Sequence, residues 1–218
     1  MTTLNNGKDR LYTGEAVDIM YNTGRCIHAE YCVKLLSQVF DKQKRPWVDA
    51  NGAPAETIAS VIERCPSGAL HYTRKDGLKE AIPDSNNLVV SHNGPLEIRG
   101  NLDIHGTIVE LKDETRVTLC RCGGSGNKPF CDNTHLTIKF EAVETEAVTT
   151  QVEPSGADKL RIAVHKNGPL ELQGAVTIVN ADGALLFSGE YVELCRCRGS
   201  KNKPFCDGTH EQNGFTAE

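Results

Sequence analysis

The sequence predicts an α+β chain of three small units: an α/β unit over residues 14–76 and two β-rich modules over 87–140 and 159–216. Three observations carry this. The nine cysteines fall into three groups of three. The second and third groups sit inside a long internal repeat. Apolar residues at helical spacing are confined to the first unit.

In that first unit, AVDIMY, PWVDA and GALHYT read as strands. Two helical stripes separate them: Cys32, Leu35, Leu36, Val39 and Phe40, then Ile58, Val61, Ile62 and Cys65. The expected order is strand–helix–strand–helix–strand. GLKEAIPDSNN (77–87) then breaks the chain before the first module. The repeat is plain in LCRCGGSGNKPFCDNTH (119–135) against LCRCRGSKNKPFCDGTH (194–210). It extends to NGPLEIRG (93–100) against NGPLELQG (167–174), and to Phe140 and Phe215, at a period of about 75 residues. The stretches upstream of each cysteine group are rich in Val, Ile, Leu and Thr, with turn signals between and no long helical period, which predicts short antiparallel strands. EAVETEAVTTQVEPSGAD (141–158) reads as the connector. Units of about 55–60 residues rarely bury a sufficient core alone, so each module needs a metal or a partner, and the other copy is at hand.

Composition narrows the function. An odd cysteine count cannot pair fully within one chain, so metal or redox chemistry leads. The net charge of −5 disfavours a phosphate-backbone binder. No apolar run nears the roughly 18 residues of a membrane span, and the start MTTLNNGKDR has no signal-like apolar core. A cytoplasmic protein is expected, with neither nucleic acid nor membrane as partner. No nucleophile–base pair, phosphate loop or nucleotide fingerprint stands out, so the chain is not expected to be an enzyme.

Each module offers three thiols and an imidazole in a C-x-C-x8-C-x3-H pattern: Cys120, Cys122, Cys131 and His135, then Cys195, Cys197, Cys206 and His210. Structural zinc takes such a donor set, usually through a C-x2-4-C knuckle. A C-x-C pair on extended backbone also suits one iron of a [2Fe–2S] unit, with the later Cys and His on the other. Both ions stay open on spacing alone. Asp132 and Asp207 are expected to cap a short helical turn that carries the histidine. Lys128 and Lys203 either hydrogen-bond near the site or solvate its loop. His28, His71, His92, His105 and His165 read as surface or turn residues, His92 and His165 sharing a role ahead of NGPLE.

Both segments resemble the signature of the CDGSH iron–sulfur (NEET) family, C-x-C-x2-[ST]-x3-P-x-C-D-G-[SAT]-H. The second copy matches throughout; the first has Asn133 for the glycine, a residue that tolerates positive φ. The resemblance implies one [2Fe–2S] cluster per module, held by three cysteines and one solvent-facing histidine, and two modules folded as an internal pseudo-dimer. A neutral imidazole in place of a thiolate raises the potential and couples it to protons.

The first unit reads C-x5-C with a distant Cys-Pro: Cys26, Cys32 and Cys65. Ala29 fills the middle position of a C-x2-C-x2-C loop. Three thiols suit a [3Fe–4S] cluster, or a [4Fe–4S] with an outside ligand, for which adjacent His28 is a candidate; buried structural thiols are the alternative. The unit resembles the divergent single-cluster ferredoxin-like domain found attached to CDGSH modules. Electron transfer or [2Fe–2S] donation to an unidentified redox or acceptor protein is the expected work, by a monomer with an internal pseudo-dimer or by a homo-oligomer. A redox or iron sensor and a zinc interaction module are the rivals.

Overall fold

The computed structural model describes residues 9–106, 109–142 and 158–217. The chain divides into two compact units, with the break between Ala81 and Ile82. No helix among the described residues is long and apolar enough to cross a membrane.

The first unit is a three-stranded antiparallel sheet, β1 (Asp9–Thr13), β2 (Val17–Asn22) and β3 (Leu70–Arg74), in that order. Helices α1 (Tyr31–Leu35) and α2 (Ala55–Ile62) lie between β2 and β3 in the chain. The core gathers Val17, Ile19, Leu36, Val39, Phe40, Val48, Ile58 and Ile62. Three details differ from the sequence reading. Strand β1 was not expected; its residues are mostly exposed and lack alternation. PWVDA is no sheet strand: Val48 makes an isolated bridge to Phe40, closed by Asp41 N–H to Trp47 O at 2.8 Å and Asp49 N–H to Val39 O at 2.8 Å. The same bonds explain the shortness of α1, because Val39 and Asp41 pair with this returning segment and not with a continuing helix. Leu36, Val39 and Phe40 are still buried, while Leu35 turns to solvent.

The second unit carries two long hairpins, with strands of 10–11 residues where short ones were expected. In the first module, β4 (Asn87–Val90), β5 (Leu96–Gly106) and β6 (Val109–Leu119) pair antiparallel. In the second, β7 (Leu160–Val164), β8 (Leu170–Asn180) and β9 (Leu185–Leu194) do the same. The modules then pair with one another in parallel, β4 on β8 and β5 on β7, which an all-antiparallel expectation missed. One edge of β5 is taken by β6, and the other is shared: β4 pairs with Leu96–Arg99 and β7 with Leu102–Gly106. Strand β8 repeats this, with β7 along Leu170–Gln173 and β4 along Thr177–Asn180.

The register shifts at the handover, between Arg99 and Leu102 in β5 and between Gln173 and Val176 in β8. Gly100 and Gly174 sit there because a side chain has no room: a Cβ at Gly174 would lie 2.8 Å from Lys159 O, and one at Gly100 would collide with Asn86. Period-two burial places Ile98, Leu102, Ile104, Leu172, Val176 and Ile178 inside.

Asn86 ties the modules together. Its buried side chain donates to Asp158 O and Ala175 O at 2.9 Å each and accepts from Asn101 N–H at 2.9 Å. Replacement Asn86→Leu strands three backbone groups, and urea unfolding should show a loss of about 2–4 kcal/mol. An unchanged midpoint would mean that the strand pairing alone joins the modules.

Candidate metal centres

Strands β6 and β9 each deliver a C-x-C pair at their ends, and the eight residues that follow fold back as a closed loop. Cys120 N–H bonds Pro129 O at 2.8 Å and Cys131 N–H bonds Thr118 O at 3.0 Å; the second copy has Cys195 N–H to Pro204 O at 2.8 Å and Cys206 N–H to Glu193 O at 2.9 Å. The loop interior is held by Ser125 Oγ to Phe130 O and Ser200 Oγ to Phe205 O, both 2.7 Å. Lys128 Nζ and Lys203 Nζ fold onto the carbonyls of Ser125 and Ser200, so the lysines brace their own loops.

The histidines follow on short helical turns, α3 (Thr134–Thr137) and a 3-10 turn at Thr209–Glu211. Asn133 and Gly208 precede them at φ 68° and 80°. The aspartates lie one residue ahead of the cap position, a step earlier than expected. Asp132 accepts from Thr134 N–H at 3.0 Å and Gly126 N–H at 2.8 Å, and Asp207 from Thr209 N–H at 3.1 Å and Lys201 N–H at 2.8 Å. Each carboxylate therefore pins the histidine turn to the cysteine loop. Hydrogen bonds from Thr209 and Lys201 hold Asp207 down at about 2. Partial burial pushes Asp132 up, but the bonds from Thr134, Gly126 and Ser125 outweigh it and lower it.

The donors come together as two pairs in each module. Cys120 Sγ lies 3.8 Å from Cys122 Sγ, and Cys131 Sγ 3.5 Å from His135 Nδ1. In the second module the distances are 3.7 Å for Cys195–Cys197 and 3.5 Å for Cys206–His210. Among the described residues, no three or more His, Cys, Asp or Glu side chains surround one point suited to a single ion. Burial pushes Cys131 and Cys195 up to about 11. Within the first pair, the Cys120 S–H hydrogen bond holds Cys122 down at about 6 and raises Cys120 itself. A bound cation reverses such elevation, since thiolate is the ligating form.

In the first unit, Cys26, Cys32 and Cys65 line one small cavity with Tyr21, Trp47 and Ala29. Ala29, at the position a fourth cysteine would take, faces that cavity. His28 is absent from its lining; its Nδ1 sits 3.9 Å from Cys26 Sγ. Burial raises Cys32 to about 11, with the neighbouring Cys65 and Cys26 adding to it. The three thiols thus share one cavity.

The family described as "Iron-binding zinc finger CDGSH type" matches residues 93–136 and 167–211. The chain carries two modules of the CDGSH iron-binding type. Ahead of the two CDGSH modules, residues 12–75 match the family "Divergent 4Fe-4S mono-cluster". The chain is also similar to the uncharacterized protein YjdI of Escherichia coli strain K12 and of O157:H7. Each is 39% identical over 70 residues, which span 32% of this chain and 92% of the relative. No solved structure matches the chain. Two CDGSH modules and a divergent 4Fe-4S domain make it an iron–sulfur protein.

The structure adds residues that the sequence reading passed over. The residue between the paired cysteines is a buried arginine in both CDGSH modules, Arg121 and Arg196. Arg121 Nε donates to Gly94 O at 2.9 Å and its Nη2 to Ser91 O at 2.8 Å; Arg196 does the same to Gly168 O at 2.9 Å and His165 O at 2.5 Å. Each guanidinium also covers a ring, Phe140 at 5.4 Å and Phe215 at 5.6 Å. This accounts for the repeat's NGP turn and trailing Phe, which together clamp the strand end carrying the C-x-C. The signal was present as C-R-C in both copies. The same bonds show that His165 corresponds to Ser91 and not to His92, whose counterpart is Lys166. Ser91 and His165 fill one role, bonding Glu97 and Glu171 at 2.8 Å each.

Arg196→Met removes two bonds to buried carbonyls and should cost about 2–3 kcal/mol by urea unfolding. Arg196→Lys should recover less than half of that, because an ammonium lacks the fork. Asp207 gives a pH test. Its native value is depressed, so its hold on the loop is complete above about pH 4 and is lost as pH falls through about 2. Carboxyl NMR should place its titration near the lower value; a midpoint near 4 would contradict these bonds.

Proposed function

We propose that each CDGSH module holds one [2Fe–2S] cluster and the first unit a third, [3Fe–4S] or [4Fe–4S], cluster. The chain then serves in one-electron transfer or in donation of a cluster to a redox or acceptor protein, with no catalytic reaction of its own. The observation that carries this is the pairing of donors, two and two, in both modules. One zinc ion asks for four ligands around one centre; a two-iron unit asks for two ligands at each iron. Cys120 and Cys122 would hold one iron and Cys131 and His135 the other, with Cys195, Cys197, Cys206 and His210 in the same roles.

When bound, such a cluster supplies a one-electron couple. The residues decide the rest. Imidazole in place of thiolate leaves the site one negative charge poorer and easier to reduce. Burial lowers His135 below the ordinary imidazole range, favouring the neutral form that ligates. By linkage the fold loses stability as pH drops below about 6.5, and the loss levels off below the depressed value. The reciprocal strand pairing of the two modules supports an internal pseudo-dimer, and Cys26, Cys32 and Cys65 on one cavity support the ferredoxin-like site.

Metal and sulfide analysis of anaerobically purified protein tests the reading. It should give about two irons and two sulfides per module, with visible absorbance. Colourless protein with stoichiometric zinc would overturn it. His210→Cys should lower one of two potentials by on the order of 100 mV and abolish its pH dependence. For the first unit, EPR should show a signal that Cys32→Ala removes while the module signals persist. An unchanged spectrum would return Cys26, Cys32 and Cys65 to the status of buried thiols.

A further inference from the structure

The two CDGSH modules share a fold and a ligand set, yet their surroundings differ in one consistent direction. In the first module Cys122 is 5% and Cys131 3% exposed, and Phe130 and Phe140 are buried with them. Their counterparts Cys197, Cys206, Phe205 and Phe215 are all partly open to solvent. The first cysteines, Cys120 and Cys195, are equally buried, and the two histidines are alike partly exposed.

The difference tracks the third residue after the histidine, since the first, Leu136, is itself exposed. The first module has Leu136-Thr137-Ile138 where the second has Glu211-Gln212-Asn213. Ile138 packs on the buried cluster of Cys120, Cys122 and Phe140. Its Cδ1 and Cys122 Sγ both lie within 4 Å of the point where a Cβ on Gly124 would sit. Asn213 occupies the matching place over Gly199, exposed, and its amide reaches Cys197 O at 3.4 Å. A cleft of about 710 Å³ runs along the second site and is lined by Cys206, His210, Glu193, Glu211 and Phe215. Ile138 thus covers the first module's paired cysteines with apolar surface, while Asn213 sets a polar group over those of the second, and the histidines of both sets are partly exposed.

We infer that the modules divide the work: the Cys195, Cys197, Cys206 and His210 set is the exchange site, and the Cys120, Cys122, Cys131 and His135 set is retained. The inference rests on the cluster reading above. In exchange, acceptor thiols enter through the cleft, and four acceptor thiolates replace the four protein ligands. Their protons pass to the three freed thiolates and to His210 or water, and no electron is gained or lost. Ile138 and Asn213 act as positioning residues that set water access.

Full-length, iron-loaded protein is challenged with EDTA and sampled with iodoacetamide, and each cysteine peptide is followed by mass spectrometry. The Cys206 peptide should become alkylated about fivefold faster than the Cys131 peptide, both thiols being raised by burial. Ile138→Asn combined with Asn213→Ile should narrow or reverse that ratio. Because the wild-type order alone is decisive, misfolding of the variant does not remove the test. Equal rates, or faster release in the first module, overturn the division of work in a protein whose iron and sulfide content is correct. Iron-free protein with every thiol alkylated before EDTA is added overturns the cluster reading and this inference with it.

Discussion

The second unit depends on the parallel pairing of β4 with β8 and of β5 with β7. A module with a four- or five-residue first strand and one long hairpin has too little apolar surface to close a core. Lending half an edge of β5 to β7, and half an edge of β8 to β4, gives each module the wall it lacks. The long strands must change partner midway, which is why they shift register at Gly100 and Gly174 and why no side chain fits there. Every later feature follows from this frame. Strands β6 and β9 are held at fixed ends, so the C-x-C pairs emerge at fixed places.

From those ends inward, the sites are built by backbone hydrogen bonds more than by side-chain packing. Serine, aspartate and lysine each satisfy a loop group, and the buried arginine clamps the strand end to the NGP turn. Burial of bare thiols is costly in their ionised form, as the raised Cys131 and Cys195 show. Folding thus presents ligands in a state that a cation stabilises, and metal binding and folding are coupled.

Much of this was legible in the residues. Cys120 to His135 and Cys195 to His210 could be read because ligand chemistry tolerates few residue types and the pattern occurs twice. The helical stripe of α2 was equally plain, since burial on one face leaves a period. What escaped was set by partners far along the chain. Arg121 and Arg196 look like surface charges until the carbonyls of Ser91, Gly94, His165 and Gly168 are seen around them. The parallel pairing cannot be read from alternation, which fixes the inward face of a strand but not the neighbour at its edge. PWVDA has a strand's composition, but its backbone bonds close a local turn at Phe40 and Val48.

Carrying both modules on one polypeptide has a genetic consequence. In an assembly of two identical chains, the two-fold axis writes every substitution twice, and the sites are bound to remain equal. Here the codons of residues 136–138 and 211–213 can drift apart while the shared strands keep the frame. A single mutation reaches a single site, so each copy can be selected for a different task, and an experimenter can silence one and leave its twin as the internal control.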